Sequence, residues 1–138
     1  MKTMRTLGQK RSEYALGKVL EIPENKKKDF KSFSAGAPSI ILQNGFGQAL
    51  AFWLAKGTDK ELKIKEDDKH IVLFDMIWQW LPYEKDDVKN EFVEKDKVKT
   101  RTDFIKELSC MDQIKYLSAQ KETLALLEWV KRYANADL

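Results

Sequence analysis

One cysteine, Cys110, and one histidine, His70, are all that this 138-residue chain has of the side chains most used for metal binding. A lone cysteine excludes an internal disulfide and any all-cysteine metal site. A lone histidine excludes a multi-histidine metal site, and His70 reads as a helix N-terminal or packing residue. Proline is scarce (Pro23, Pro38, Pro82), as is glycine at six, and β-branched alternation is almost absent, so strands are not expected. No apolar run approaches the ~20 residues needed to cross a bilayer. The best, "HIVLFDMIWQWL" (70–81), is interrupted by Asp75 and Gln79. "MKTMRTLGQKR" has no apolar stretch and does not read as a signal peptide, so a cytoplasmic protein is expected.

What is present is helical periodicity. With 43% apolar and 34% charged residues, the chain has the composition of a globular protein with a proper core. The pattern predicts an all-α fold: one domain, residues 1–138, as a compact bundle of five to six helices. A first helix over 2–21 places Met4, Leu7, Tyr14, Ala15 and Val19 on one stripe, with Arg11 in its middle. Leu16 and Leu20 fall on its opposite face. After "PENKKKD", Asp29 is the expected cap of a helix over 30–56, kinked or restarted at Pro38 and closed by Gly57. A third helix is expected over 67–81, ending before Pro82. The stretch 84–101 is dense in both charges and predicts a short exposed helix or an ordered loop. Thr102 or Asp103 can cap a short helix through Leu108. The last helix, about 112–135, starts near Asp112 and carries Lys131 and Arg132 in its last turns. Its main apolar face holds Ala119, Leu126, Val130 and Tyr133, while Leu117 and Leu124 lie on the other side. Leu16, Leu20, Leu117 and Leu124 therefore form second, smaller apolar stripes, expected as contact surfaces for protein neighbours.

No enzyme signature survives inspection. Asp67–Asp68 and Asp86–Asp87 are sequence neighbours that point about 100° apart on a helix, so neither pair makes a shared acid/base site. "QNGFGQALAFWLAKG" (43–57) resembles a phosphate loop only superficially. It matches neither GxxxxGK[ST] nor GxGxxG and follows no strand. Gly45 with Ala49, and Gly47 with Ala51, instead suit close helix packing at i and i+4. A non-catalytic protein without metal or cofactor is expected. Charge is uneven: residues 1–31 have a net of +5 and residues 57–100 a net of −3, within a chain of net +3. Such a distribution permits a polyanion-facing side.

Three segments together resemble the small subunit of the type III-B CRISPR effector, the Cmr RNA-targeting complex. They are Arg11-x-x-x-Ala15-x-x-x-Val19 in "QKRSEYALGKV", the run "PSIILQNGFGQALAFWLAKG", and "YLSAQKETLALLEWVKRYANADL" with Tyr116, Glu122, Trp129, Lys131, Arg132, Tyr133 and Ala134 in place. They fall at the start, middle and end, in the family's order. The chain departs at Gln120, where a threonine is expected, and at Leu117, where a basic residue is usual and one RNA contact is lost.

The resemblance implies a non-catalytic helical subunit of an antiviral ribonucleoprotein. Its copies would self-associate along the inner filament, beside the backbone and other subunits, and help hold the guide RNA/target RNA duplex. Phosphate contact needs Lys or Arg and is indifferent to sequence. The candidates are Arg5, Lys10, Lys18, Lys56, Lys131 and Arg132. Arg11, mid-stripe, either pairs with Glu122 or Glu128 or reaches RNA through the helix layer. Trp53, Trp78, Trp80 and Trp129 sit in apolar helical segments and are expected in the core. The alternative is a helical adaptor that binds only protein; a small nuclease is disfavoured by the residue inventory.

Overall fold

Thr6 starts the first helix. Its hydroxyl accepts from the Gln9 N–H (3.1 Å), while the Gln9 side chain accepts from the Thr6 N–H (2.8 Å). This reciprocal cap satisfies two donors that an uncapped helix would leave open. In the computed structural model, which describes residues 4–138, α1 therefore spans Leu7–Leu20. The start expected at residue 2 lies outside the described residues.

The helix expected over 30–56 is two helices, α2 (Lys27–Asn44) and α3 (Phe46–Lys56). The break falls at Gly45 rather than Pro38, which sits inside α2. Gly45 adopts φ +90, a conformation that glycine reaches without a Cβ clash. It serves both helices: its N–H donates to Ile41 (2.8 Å) and its carbonyl accepts from Ala49 (3.0 Å). Proline costs α2 one hydrogen bond, yet Phe30, Ser34, Ala37 and Ile41 bury one face on both sides of it and carry the helix through. Asp29 is not the cap; α2 begins two residues earlier, out of a 3₁₀ turn at Glu24–Lys26, and Asp29 lies in its first turn.

The other glycines of the 43–57 run also differ from a simple packing pair. Nothing approaches the place where a Gly45 side chain would sit, and Ala51 is exposed. Gly47 does allow a close approach: its N–H donates to the Tyr116 hydroxyl (2.8 Å), and an added Cβ would lie 3.3 Å from that oxygen. Gly57 ends α3 at φ −87, so its role is space; a Cβ there would collide with the Ile71 side chain.

Helix α4 (Lys69–Trp80) is capped by Asp68, whose Oδ1 accepts from the His70 N–H (2.8 Å). Half its residues are buried: Ile71, Leu73, Phe74, Met76, Ile77 and Trp80. It packs against α1, α2 and α3. The charged 84–101 stretch forms a small antiparallel hairpin, β1 (Glu84–Lys85) and β2 (Val88–Lys89), then a 3₁₀ turn at Lys95–Lys97. Its few apolar residues, Val88, Val93 and Val98, pin it to the core. Helix α5 (Arg101–Cys110) packs on α3 and α4 and is capped by Thr100, not Thr102 or Asp103, because the Asp103 N–H donates back to the Thr100 hydroxyl (3.1 Å). Asp112 caps α6 (Gln113–Ala134), the longest helix, which packs along both α1 and α2. Among the described residues the result is an all-α architecture of six helices with one two-stranded accessory. Trp53 and Trp80 are fully buried; Trp78 and Trp129 are half-buried against the core. No helix among the described residues is long and apolar enough to cross a membrane.

Candidate nucleic-acid interface

The two helices that carry most candidate cations run parallel. Leu7 lies beside Ser118 at one end, Arg11 pairs with Glu122, and Val19 and Leu20 lie beside Tyr133 and Ala134 at the other. Their positive N-terminal ends therefore coincide at one end of the molecule.

Arg11 is held inside. Its Nε and Nη2 donate to the two Glu122 oxygens at 2.6 and 2.7 Å, and Trp80 Nε1 donates to the same carboxylate at 2.8 Å. Glu122 is 3% exposed, so these donors replace the water it loses on burial. The hydrogen bonds to Glu122 raise the Arg11 pKa above its ordinary value. Of the two readings open to Arg11, the ion pair with α6 is the one its geometry forms.

Arg5 is likewise engaged. Its Nε and Nη2 grip Asp87 of the hairpin turn (2.9 and 2.6 Å) and its Nη1 reaches Glu13 (3.1 Å). The Arg5 hydrogen bonds pull the Asp87 carboxyl down to about 2. This clamp ties the segment before α1 to the hairpin.

The remaining cations are freer and lie apart. Lys10 is half-buried and, among the described residues, has no carboxylate within ion-pair reach. Lys18 lies 5.6 Å from the Tyr14 ring centre and 3.9 Å from Glu21. Lys56, at the end of α3, is exposed and lies over Phe52. Lys131 is half-buried in the last turn of α6, and Arg132, beside it, is exposed with Glu128 at 3.9 Å. Lys131 and Arg132 thus sit near Lys18's end of the α1–α6 pair, Lys10 at the opposite end, and Lys56 on another helix.

The apolar candidates are also dispersed. Leu20 is 53% exposed at the end of α1, and Leu117 is 50% exposed at the start of α6, at the other end of the parallel pair. Leu16 and Leu124 are half-buried, and Leu124 packs against the core. Ile114, one turn before Leu117, enlarges that patch, and Leu42 and Phe52 are exposed on α2 and α3. The exposure of these three is set by which helix faces meet.

A groove lies between the end of α1 and α4, with Ile22, Phe30, Val72 and Met76 among its lining. Six carboxylates line it against three lysines. Asp75 and Glu66 are held by Arg101, and Asp67 lies 3.5 Å from Lys26. Asp68 would be raised by its burial, but hydrogen bonds from His70 hold it below the ordinary range. His70, packed against the Phe33 ring at a tilt of 57°, thus works as a helix-start and packing residue. Tyr14, whose hydroxyl donates to the Met76 carbonyl (2.8 Å), is pushed well up by burial and stays neutral. Among the described residues no group of three or more His, Cys, Asp or Glu is placed to hold a metal ion.

Comparison with known proteins connects this architecture to a family. The family model described as CRISPR-associated protein (Cas_Cmr5) matches residues 7–137. Among solved structures the chain is similar to the X-ray crystal structure of a CRISPR-associated Cmr5 family protein from Thermus thermophilus. The two share 23% identity and a TM-score of 0.68 over 96% of each chain.

Proposed function

The chain belongs to the CRISPR-associated Cmr5 family, the small subunit of the type III-B Cmr complex, and from that premise we propose that it is a non-catalytic structural subunit holding RNA in antiviral defence. In this reading its copies stack in the inner filament beside the backbone subunit. Each copy helps hold the guide-paired target RNA through contacts with the phosphate backbone, in the cytoplasm. The observation that supports the RNA part is the division of labour among its cations. Arg5 and Arg11 are engaged by carboxylates of the same chain, while Lys10, Lys131 and Arg132 remain on the outer surfaces of α1 and α6. Lysines and arginines so placed contact phosphates without reading bases, which suits a subunit serving many guides.

Gel-shift with single-stranded and guide-paired RNA, repeated across salt concentrations, tests this reading. Binding should weaken steeply with salt. Lys131→Ala/Arg132→Ala should weaken it alike for unrelated sequences. Absence of binding at low salt, alone and with the backbone subunit present, would sink the RNA reading. It would leave a protein-only adaptor, whose contacts would centre on exposed Ile114 and Leu117.

A further inference from the structure

We infer that the groove between the N-terminal ends of α1 and α6, walled by residues 89–92, is a binding site for the phosphodiester backbone of RNA. The inference rests on the RNA-holding reading above and locates where the strand lies. The groove has a volume of about 440 Å³ and brings together Lys10 from α1, Lys89 from β2 and Lys115 from the first turn of α6. Among its lining residues Glu91 is the sole carboxylate.

Four features select a polyanionic strand. Three cations from three separate elements, Lys10, Lys89 and Lys115, line one cleft. The N-terminal end of α1, whose cap Thr6 is uncharged, adds to the potential of the lysines, whereas that of α6 is already taken by Asp112. The acidic contacts that compete are weak: Lys89–Glu91 and Lys115–Glu94 are 4.0 Å apart and exposed, pairs that a phosphate can displace. Lastly, Leu7 and Phe92 give the groove an apolar, partly aromatic side on which a ribose or base can rest. The groove at the other end of α1, with six carboxylates to three lysines, repels the same ligand.

The site also gives the charged 84–101 stretch a role. Val88, Val93 and the Arg5–Asp87 clamp fix the hairpin against the bundle, and Lys89 and Phe92 are thereby presented beside α1 and α6.

The test is fluorescence anisotropy of the full chain with a labelled single-stranded RNA and with the same RNA paired to a guide. It is repeated with the chain assembled with the other effector subunits. Lys89→Ala/Lys115→Ala should weaken binding about tenfold for every sequence and lower the slope of log K against log salt by about 1.5, two phosphate contacts' worth. Lys89→Arg/Lys115→Arg should keep the wild-type affinity, and unchanged melting by circular dichroism shows that both variants fold. A 5-iodouridine-substituted RNA should cross-link to Phe92. If the wild-type chain binds and the double alanine variant binds equally with an unchanged slope, the groove is overturned while the RNA-holding reading stands. If the wild-type chain binds no RNA in either form, both fail. Displacement of RNA by equimolar poly-glutamate would overturn the RNA assignment in favour of an acidic polypeptide.

Discussion

Glu122 shows at the residue scale how a charged group becomes part of a core. Burial removes its water, and Arg11 and Trp80 supply three hydrogen bonds in return. Such a pair adds little over apolar residues of the same shape, but removing one partner strands the other. Glu122→Leu is expected to lower stability by ~3 kcal/mol, and Arg11→Met/Glu122→Leu by clearly less than the two single changes summed. Urea unfolding midpoints of the three variants measure this coupling. Asp87 makes a second prediction. Its folded pKa, about 2, lies below the ~3.9 of an unfolded aspartate. The Arg5–Asp87 contact therefore contributes stability above pH ~4 and loses it as pH falls from ~4 towards 2. Carbon-13 NMR titration should show Asp87 ionising near 2 in the wild type and near 4 in Arg5→Ala.

Among elements, the helix boundaries show which residues end a helix and which are merely tolerated. Gly45 ends α2 because its φ of +90 turns the chain between two helices, whereas Pro38 is absorbed by packing on either side. Gly45→Ala should cost ~1–2 kcal/mol through the strained φ alone. Gly17→Ala and Gly36→Ala, in helices with open space around them, should instead stabilise by ~0.5–1 kcal/mol. Gly57→Ala should destabilise for a different reason, because Ile71 must move. Thermal melts of the four variants separate the three mechanisms. Hydrophobic periodicity and caps such as Asp112 were legible in sequence. The Gly45 break was not, since an Asn-Gly pair inside a helical pattern is compatible with close packing as well as with a turn.

For the whole molecule, one continuous cluster of buried residues joins Tyr14 and Val19 of α1 to Trp53 of α3, Trp80 of α4, Phe104 of α5 and Val130 of α6. No helix has a separate core of its own in that cluster. The chain should therefore unfold as one cooperative unit, with tryptophan fluorescence and far-ultraviolet circular dichroism giving coincident urea transitions. Separated transitions would reveal a second folding unit. The charges divide along the same body, with three lysines in the groove at the start of α1 and six carboxylates in the groove at its end.

Sequence by itself determined the helical class, a count of five to six helices, the cap at Asp112, the stop at Gly57 and, through three motifs, the Cmr5 family. These follow from local spacing: 3.6-residue periodicity, short-range capping and the order of motifs do not depend on how helices meet. Tertiary structure decided which cations remain available. Arg5 looked like Lys10 in sequence, and Arg11 was open to a carboxylate of α6 or to RNA; partners 82 and 111 residues away occupy them. It also decided that Lys89, Phe92 and Lys115 share one groove with Lys10, a proximity created by the parallel packing of α1 on α6. Charge is a property of a residue, but a charged surface is a property of the packing that leaves some residues unpaired and brings them side by side.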